Sequence, residues 1–537
     1  MKRVVIHGGT LIDATGRPPA QDAVVIIENE KIKTVGRKEE VPIPKDSDVI
    51  NSRGKTILPG FIDGHCHLFD FMGELCLNLG ITTCPDIVEN EDYYILAQKD
   101  GVAKGKIRAP RIWAAGARLV APPPQWAQRG FVGHVITTPE EARNVVRRKK
   151  EMGLDIIKIS EYVKPEVFRA AVEEANRLDL PVTCHTLDVF WAAESGVAGV
   201  EHHWAPGMTS IADPEKRWKA HEARMRGKFD TSELPYYYET ENFDRIIEVM
   251  VEKNISWCPT IATWLRPLSP SISRFKKREL AILNNPKTKY FPPAVEAFTL
   301  WLHDRYKKYS PERLDRIKEG YAKIEEFMRR FVKAGGILKA GSDPNHGMPA
   351  VGMHQEMTMM VDAGLTPMQA IQAGTINVAK GYRKDKDFGT VEPGKFADIT
   401  IIDGDPLKDI WATQNVKTVI MNGKIMDIGF HADYKNPIPG SQPYMAFPGR
   451  PIEISPGAIP AGSKATKLTV TTRRGFQMWH RVTLNGKELK TRYISGRELE
   501  ATVPPERLKR VGTYAVSVES PNEFNSRSAP AFLIVSY

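Results

Sequence analysis

Apolar residues come first as short runs broken by turn formers, then as longer alternating units. Residues 1–58 show Val4-Val5-Ile6, Thr10-Leu11-Ile12, Ala23-Val24-Val25-Ile26-Ile27 and Ile32-Lys33-Thr34-Val35, punctuated by glycine and Asn-Glu pairs. Such runs predict short strands joined by tight turns. A matching set returns over 388–432, with Ala397-Asp398-Ile399-Thr400-Ile401-Ile402 and Val416-Lys417-Thr418-Val419-Ile420-Met421. The two flanks are expected to form one small β-sandwich.

Between them, residues 59–387 alternate strand and helix patterns. Strand candidates end near His67, Cys84, Ala115, Ile159, His185, His202, Pro259 and Gly341. The clearest helix carries Leu314, Ile317, Tyr321, Ile324, Met328 and Phe331 at three- and four-residue steps and stops at Gly335-Gly336. Repeated β-then-α units of this kind predict an α/β fold, a (β/α)8 TIM barrel. Residues 433–451 lose periodicity and read as a linker, and 452–537 read as short strands. The Asn485-Gly486 pair marks a hairpin there, and the pattern predicts a second, all-β sandwich.

Composition narrows the class. At 537 residues the chain is too long for one core. No apolar run reaches the ~18–20 residues of a membrane span. Five cysteines, without pairing pattern or CxxC spacing, read as small buried hydrophobes rather than a disulfide framework or cysteine–zinc site. The net charge of +10 is scattered. Its densest run, Arg147-Arg148-Lys149-Lys150, lies on a helix opened by Thr138-Pro139-Glu140-Glu141 and is expected to be a solvated face. Nucleic-acid binding gains no support. A cytoplasmic location is expected, with an extracellular or periplasmic one if a leader has been removed.

Polar side chains at the C-terminal strand ends of a barrel share one mouth. Here those ends carry His65 and His67, Lys158, His185, His202 and Asp343. Two histidines at i and i+2 on a strand project to the same side and can share a cation. Lys158 sits between Ile157 and Ile159, where a bare ammonium is costly unless paired or neutralised. Carbamylation would make it a bridging carboxylate. Strand alternation lets only one of His202 and His203 point inward.

These motifs resemble the amidohydrolase superfamily, in its imidazolonepropionase-like and prolidase-like branch. The matching stretches are Leu58 to His67, Gly199-Val200-Glu201-His202 and Ala340-Gly341-Ser342-Asp343. They continue from Ala363 to Pro367, through Ala373-Gly374-Thr375, to Asp403-Gly404-Asp405-Pro406-Leu407. The resemblance covers about residues 4–430. It implies two divalent ions, most often zinc. His65, His67 and Asp343 would bind one, His185 and His202 the other, and a CO2-derived carbamate on Lys158 would bridge them. It favours His202 over His203. The implied chemistry is hydrolysis of an amide-type C–N bond, in a dipeptide, N-acyl amino acid or cyclic amide, by a metal-bridging hydroxide. Asp343 would shuttle the proton. His134 lies in a stretch similar to a substrate-contacting loop of the family, solvent being the alternative. His346 and His354 follow the eighth strand as outer supports of the site.

The last segment resembles an IPT/TIG immunoglobulin-like domain in Ile454-Ser455-Pro456-Gly457, Val482 to Gly486 and Ala501-Thr502-Val503-Pro504. Its Arg473, Arg474, Arg481, Lys487 and Lys490 are expected to form a solubilising face; an anionic partner or a homo-oligomer contact are the alternatives. A one-metal deaminase or imidazolone-ring hydrolase of the same superfamily is the alternative activity. A non-enzymatic assembly protein would show gaps among the six positions, and all six are filled.

Overall fold

The computed structural model describes residues 3–87, 92–121, 133–225, 230–344, 348, 350–438, 452–472, 480–495, 497–519 and 531–536. The N-terminal flank forms β1 (Arg3–Leu11), β2 (Ala20–Glu28), β3 (Lys31–Arg37), β4 (Asp48–Asn51) and β5 (Lys55–Pro59). The expected break inside β1 does not occur. Gly8, at φ +80, lets the strand shift register between His7 and Gly9 and continue. The first half of β1 runs parallel to β4 and its last residues parallel to β5. Val4, Ile6, Val25 and Ile27 enter one apolar cluster, and Val5, Val24 and Ile26 another. Both faces are covered, so the β2 run is continuous rather than alternating.

The middle holds β6 (Phe61–Ile62), β7 (Ile81–Asp86) and β8 (Arg111–Ala114) in one parallel sheet. A second parallel sheet contains β9 (Arg118–Val120), β10 (Gly133–Val135), β11 (Ile157–Ile159), β12 (Val182–Cys184), β13 (Gly199–Glu201) and β14 (Ser256–Cys258). Its order is β10-β9-β11-β12-β13-β14. Helices connect them, among them Pro139–Met152, Pro165–Arg177, Phe243–Glu252 and Pro311–Lys333. The last begins on Ser310, which caps Arg313 N–H, and buries Ile317, Tyr321, Ile324, Met328 and Phe331.

The eighth strand expected at 337–341 is reduced to a single parallel bridge, Trp257 with Leu338. Bonds from Gly64 N–H to Ala340 O (2.7 Å) and Asp343 N–H to His65 O (2.9 Å) tie that segment to the first strand. Glycines interrupt the ladder at this seam: a Cβ on Gly64 would lie 2.6 Å from Ala340 O. The strand pairings therefore give a mixed α/β fold of two parallel sheets, without a continuous closed ladder among the described residues.

The chain returns to its beginning through β15 (Ile399–Asp403), β16 (Val416–Met421) and β17 (Lys424–Ile425). Strand β15 pairs antiparallel with β5, and the flanks meet in one eight-stranded sheet. Beyond it, β18 (Glu453–Ser455), β19 (Ala458–Pro460), β20 (Thr466–Thr471), β21 (Arg481–Leu484) and β22 (Lys487–Glu488) begin the C-terminal region. It ends with β23 (Lys490–Ser495), β24 (Glu498–Val503), β25 (Gly512–Glu519) and β26 (Ala531–Ser536). Sheets β18-β20-β24-β23 and β19-β26-β25-β21-β22 share a core of Leu468, Val482, Leu499, Val516 and Leu533. Asn485 and Gly486 both take positive φ in the two-residue β21–β22 hairpin.

All five cysteines are buried free thiols. Among the described residues no helix is long and apolar enough to cross a membrane. The basic run departs from expectation at one position. Arg147, Arg148 and Lys150 are exposed, but Lys149 turns inward and donates to Asp92 (2.8 Å) and Ala115 O (2.9 Å). The Asp92 carboxylate compensates its burial. Arg473 and Arg474 lie outside the described residues, and Arg481 faces Glu488 at 3.4 Å.

Candidate metal centre

His65 and His67 follow β6, with rings 5.5 Å apart and nearly stacked. The first strand is locked to the eighth segment by Asp63, whose carboxylate accepts from Ser342 N–H (2.8 Å) and His65 N–H (3.3 Å). That lock brings Asp343 to 3.4 Å from His67 Nε2 and 3.9 Å from His65 Nε2. His185 directly follows β12 and His202 directly follows β13; their Nε2 atoms are 3.0 Å apart. His202 Nδ1 also lies 3.7 Å from Asp343. Ligand atoms of His65, His202 and Asp343 all fall within 4.8 Å of one another.

The backbone is strained where these side chains leave their strands. His202 has φ +66, Asp343 φ +40 and Thr260, beside His202, φ +50. Non-glycine residues hold the left-handed region only where their surroundings fix them, and such strain gathers at functional sites.

Lys158 is central in β11, and its Nζ is buried with no hydrogen-bond partner. Burial pulls its ammonium down to about 8, against the attraction of Glu201. Its charge acts in turn on His185, His202 and Asp343. Burial, reinforced by Lys158, pushes the His185 imidazole down to about 3; burial also holds His202 well below its ordinary range. Both are therefore neutral, the state in which imidazole ligates a metal. Burial raises the Asp343 carboxyl.

Behind these groups stands a set of partners that strand patterning did not flag. Glu201 accepts from His65 Nδ1 (2.7 Å), Lys339 Nζ (3.0 Å) and the Thr183 hydroxyl. Burial alone would raise its carboxyl, but Lys339 and His65 hold it well below the usual range. Glu161 lies 3.0 Å from His185 Nδ1, and Thr260 Oγ1 lies 2.8 Å from His202 Nδ1. Nδ1 is thereby occupied in each of the three rings. Nε2 is left facing the common space, where that of His65 has no hydrogen-bond partner. Sequence held one signal for Glu201, its place immediately before His202; Glu161 and Thr260 gave none. A second donor group, His65, Glu201 and Cys258, is geometrically close. It suits a cation poorly: the His65–Glu201 hydrogen bond fills it, and burial drives the Cys258 thiol well above its ordinary value.

Of the adjacent pair, His202 faces the cluster while His203 Nδ1 turns to Tyr238 Oη at 3.0 Å. Tyr238 is buried there and Tyr237 is exposed. His134, on β10, meets Asp92 at 2.7 Å, a contact that does not join it to the imidazoles. His354 also sits apart from the cluster, between Leu79 O and Thr413 Oγ1, each at 2.9 Å. His346 lies outside the described residues.

The amidohydrolase family model matches residues 56–426, most of the chain. The chain belongs to that family. An imidazolonepropionase of Symbiobacterium thermophilum is 24% identical over 465 residues, covering 74% of this chain and 90% of its own. An adenine deaminase of Desulforamulus reducens is 43% identical over 63 residues, 12% of this chain; the match spans only 11% of the deaminase. Among solved structures, a Xaa-Pro dipeptidase with methionine bound in its active site aligns with TM-score 0.56 and 21% identity. It covers 80% of this chain and all of its own. The family generally uses divalent metal ions, and its homologues point to hydrolysis of C–N bonds.

Proposed function

We propose that this amidohydrolase cleaves an amide-type C–N bond, in a dipeptide, an N-acyl amino acid or a cyclic amide, at a two-cation site. The observation that carries the reading is the pairing of His185 with His202 at 3.0 Å beside Asp343 and His67 at 3.4 Å, with a partnerless buried lysine in the same interior. His65, His67 and Asp343 would hold one ion, His185 and His202 the other, and carbamylated Lys158 both. The donor set fits: imidazoles, a carboxylate, and an amine that needs a counterpart. Only the free-base amine attacks CO2, and a lysine brought down to about 8 supplies that form near neutral pH.

Bound divalent ions, zinc by preference for imidazole and carboxylate ligands, would acidify a water and polarise the substrate carbonyl. The protein's own contribution is geometric. Glu201, Glu161 and Thr260 fix the rings by their Nδ1 atoms, as outer partners of ligating histidines do. Asp343, at the centre of the cluster, takes the proton of the attacking water and delivers it to the leaving nitrogen. His134 is proposed as a substrate contact at the rim, oriented by Asp92.

The two parallel sheets and their bridging segment read as one (β/α)8 barrel spanning 59–387, with the flanks 1–58 and 388–432 as a companion sandwich. Residues 452–537 read as an immunoglobulin-like module after the 433–451 linker.

Imidazolonepropionase and adenine deaminase relatives favour a second reading, a one-metal ring hydrolase or deaminase. Lys158 separates the two, since a one-metal site has no use for a bridging carbamate. The test is metal analysis of the purified chain, with a screen of dipeptides, N-acyl amino acids and lactams against aminopurines and imidazolones. Two ions per chain and amide cleavage support the first reading; one ion with ring opening or deamination overturns it.

A further inference from the structure

A solvent-open cavity of about 560 Å³ lies away from the histidine cluster, where the companion sheet meets the central fold. Helices Gly73–Asn78 and Ile272–Leu283, the turn Ile410–Gln414 and β16 surround it. Its size is that of a small-molecule pocket. Gln414 lines it at 3% exposure, and neither Nε2 nor Oε1 of that side chain has a hydrogen-bond partner. A buried primary amide with both ends unsatisfied is rare in folded proteins, and a partner supplied from the cavity would remove the cost. Beside it, Arg278 gives one bond to Gln414 O (3.3 Å), while its buried Nε has no partner.

The remaining lining decides the chemistry. Asp403, the carboxylate at the cavity, is held by Lys55 (3.0 Å) and Lys417 (2.9 Å), so Arg278 leaves the wall cationic. Leu75, Ile282 and Phe430 form an apolar side. A carboxylate suits Arg278, a peptide-type amide suits the donor and acceptor of Gln414, and an aliphatic group suits the apolar side.

We propose that this cavity is a second binding site, for an N-acylated apolar amino acid, separate from the catalytic cluster and independent of how many metals that cluster holds. The test is calorimetric titration of the full-length chain with N-acetyl-L-leucine, with inorganic phosphate as the anion control. Saturable binding is expected in the parent and in His65→Ala, and about tenfold weaker or absent binding in Gln414→Leu and Arg278→Met. Zinc content and circular dichroism of these two variants should match the parent; Gln414→Met replaces Gln414→Leu if the latter fails to fold. Three results would overturn the proposal: no binding in the millimolar range, binding lost in His65→Ala but kept in Gln414→Leu, or phosphate binding as tightly as N-acetyl-L-leucine.

Discussion

Glu201 Oε2 lies 2.7 Å from His65 Nδ1, and both residues are fully buried. The carboxylate sets the tautomer of the ring and aims Nε2 at Asp343. Glu201→Gln keeps the shape but removes the charge. Metal affinity is expected to fall about 10- to 100-fold, as for other outer partners of ligating histidines. Competition with a chelator, read by zinc release, measures it; unchanged affinity would make Glu201 merely the counterion of Lys339.

Lys158→Ala should leave at most one ion per chain and lower activity by orders of magnitude, since the group proposed to bridge the ions is removed. Elemental analysis gives the ion count. A carbamate carbon signal after growth with labelled bicarbonate, present in the parent and missing in the variant, checks the modification directly. Full activity with one ion would favour the ring-hydrolase reading.

Gly341→Ala tests the seam rather than the ligands. An added Cβ would lie 2.5 Å from His65 N and 2.7 Å from Cys258 Sγ, both rigidly held. The backbone must move, displacing His65 while all six candidate ligands remain in the sequence. Reduced metal content is expected, with a cost of roughly 1–3 kcal/mol from overpacking. Metal analysis and thermal unfolding read the two effects separately.

Asp230, held by Arg305 and Tyr309 rather than by the candidate ligands, gives a pH-dependent stability. Burial alone would raise its carboxyl, but Arg305 and the Ser232 donors override this and hold it at about 2, against 3.8 ordinarily. A depressed carboxyl stabilises the fold above its unfolded value and loses that contribution as pH falls through the folded one. The pH-dependent part is about 2 kcal/mol. Asp230→Asn should thus lower the melting temperature clearly at pH 7, and the gap should narrow between about pH 4 and pH 2. A gap that stays constant would refute the assignment.

The candidate positions were legible because polar side chains after or within short apolar strand runs leave a mark in the sequence, although Lys158 sits inside β11 and Asp343 follows a single bridge rather than a full strand. Their supports were not, because Glu161, Thr260 and Lys339 gain meaning only once separate strands lie side by side. Lys149 was misread for a related reason. A run of four cations looks solvated by composition, yet helical geometry turns one of every three or four residues inward, where Asp92 waits. The eighth strand was legible in pattern but not in extent, since close backbone contact at Gly64 and Gly341 is a tertiary property. The two flanks of the central α/β region were recognisable as partners because their strand runs match.

That partnership constrains synthesis. Strand β5 pairs with β15, so β5 leaves the ribosome about 340 residues before its partner does. Until then the β15-facing edge of β5 stays open, a standing invitation to mispairing, and the loop finally closed is a long one. A nascent chain stalled before residue 399 should therefore depend on chaperones, and no fragment of residues 3–432 lacking either flank should be recoverable as a stable fold.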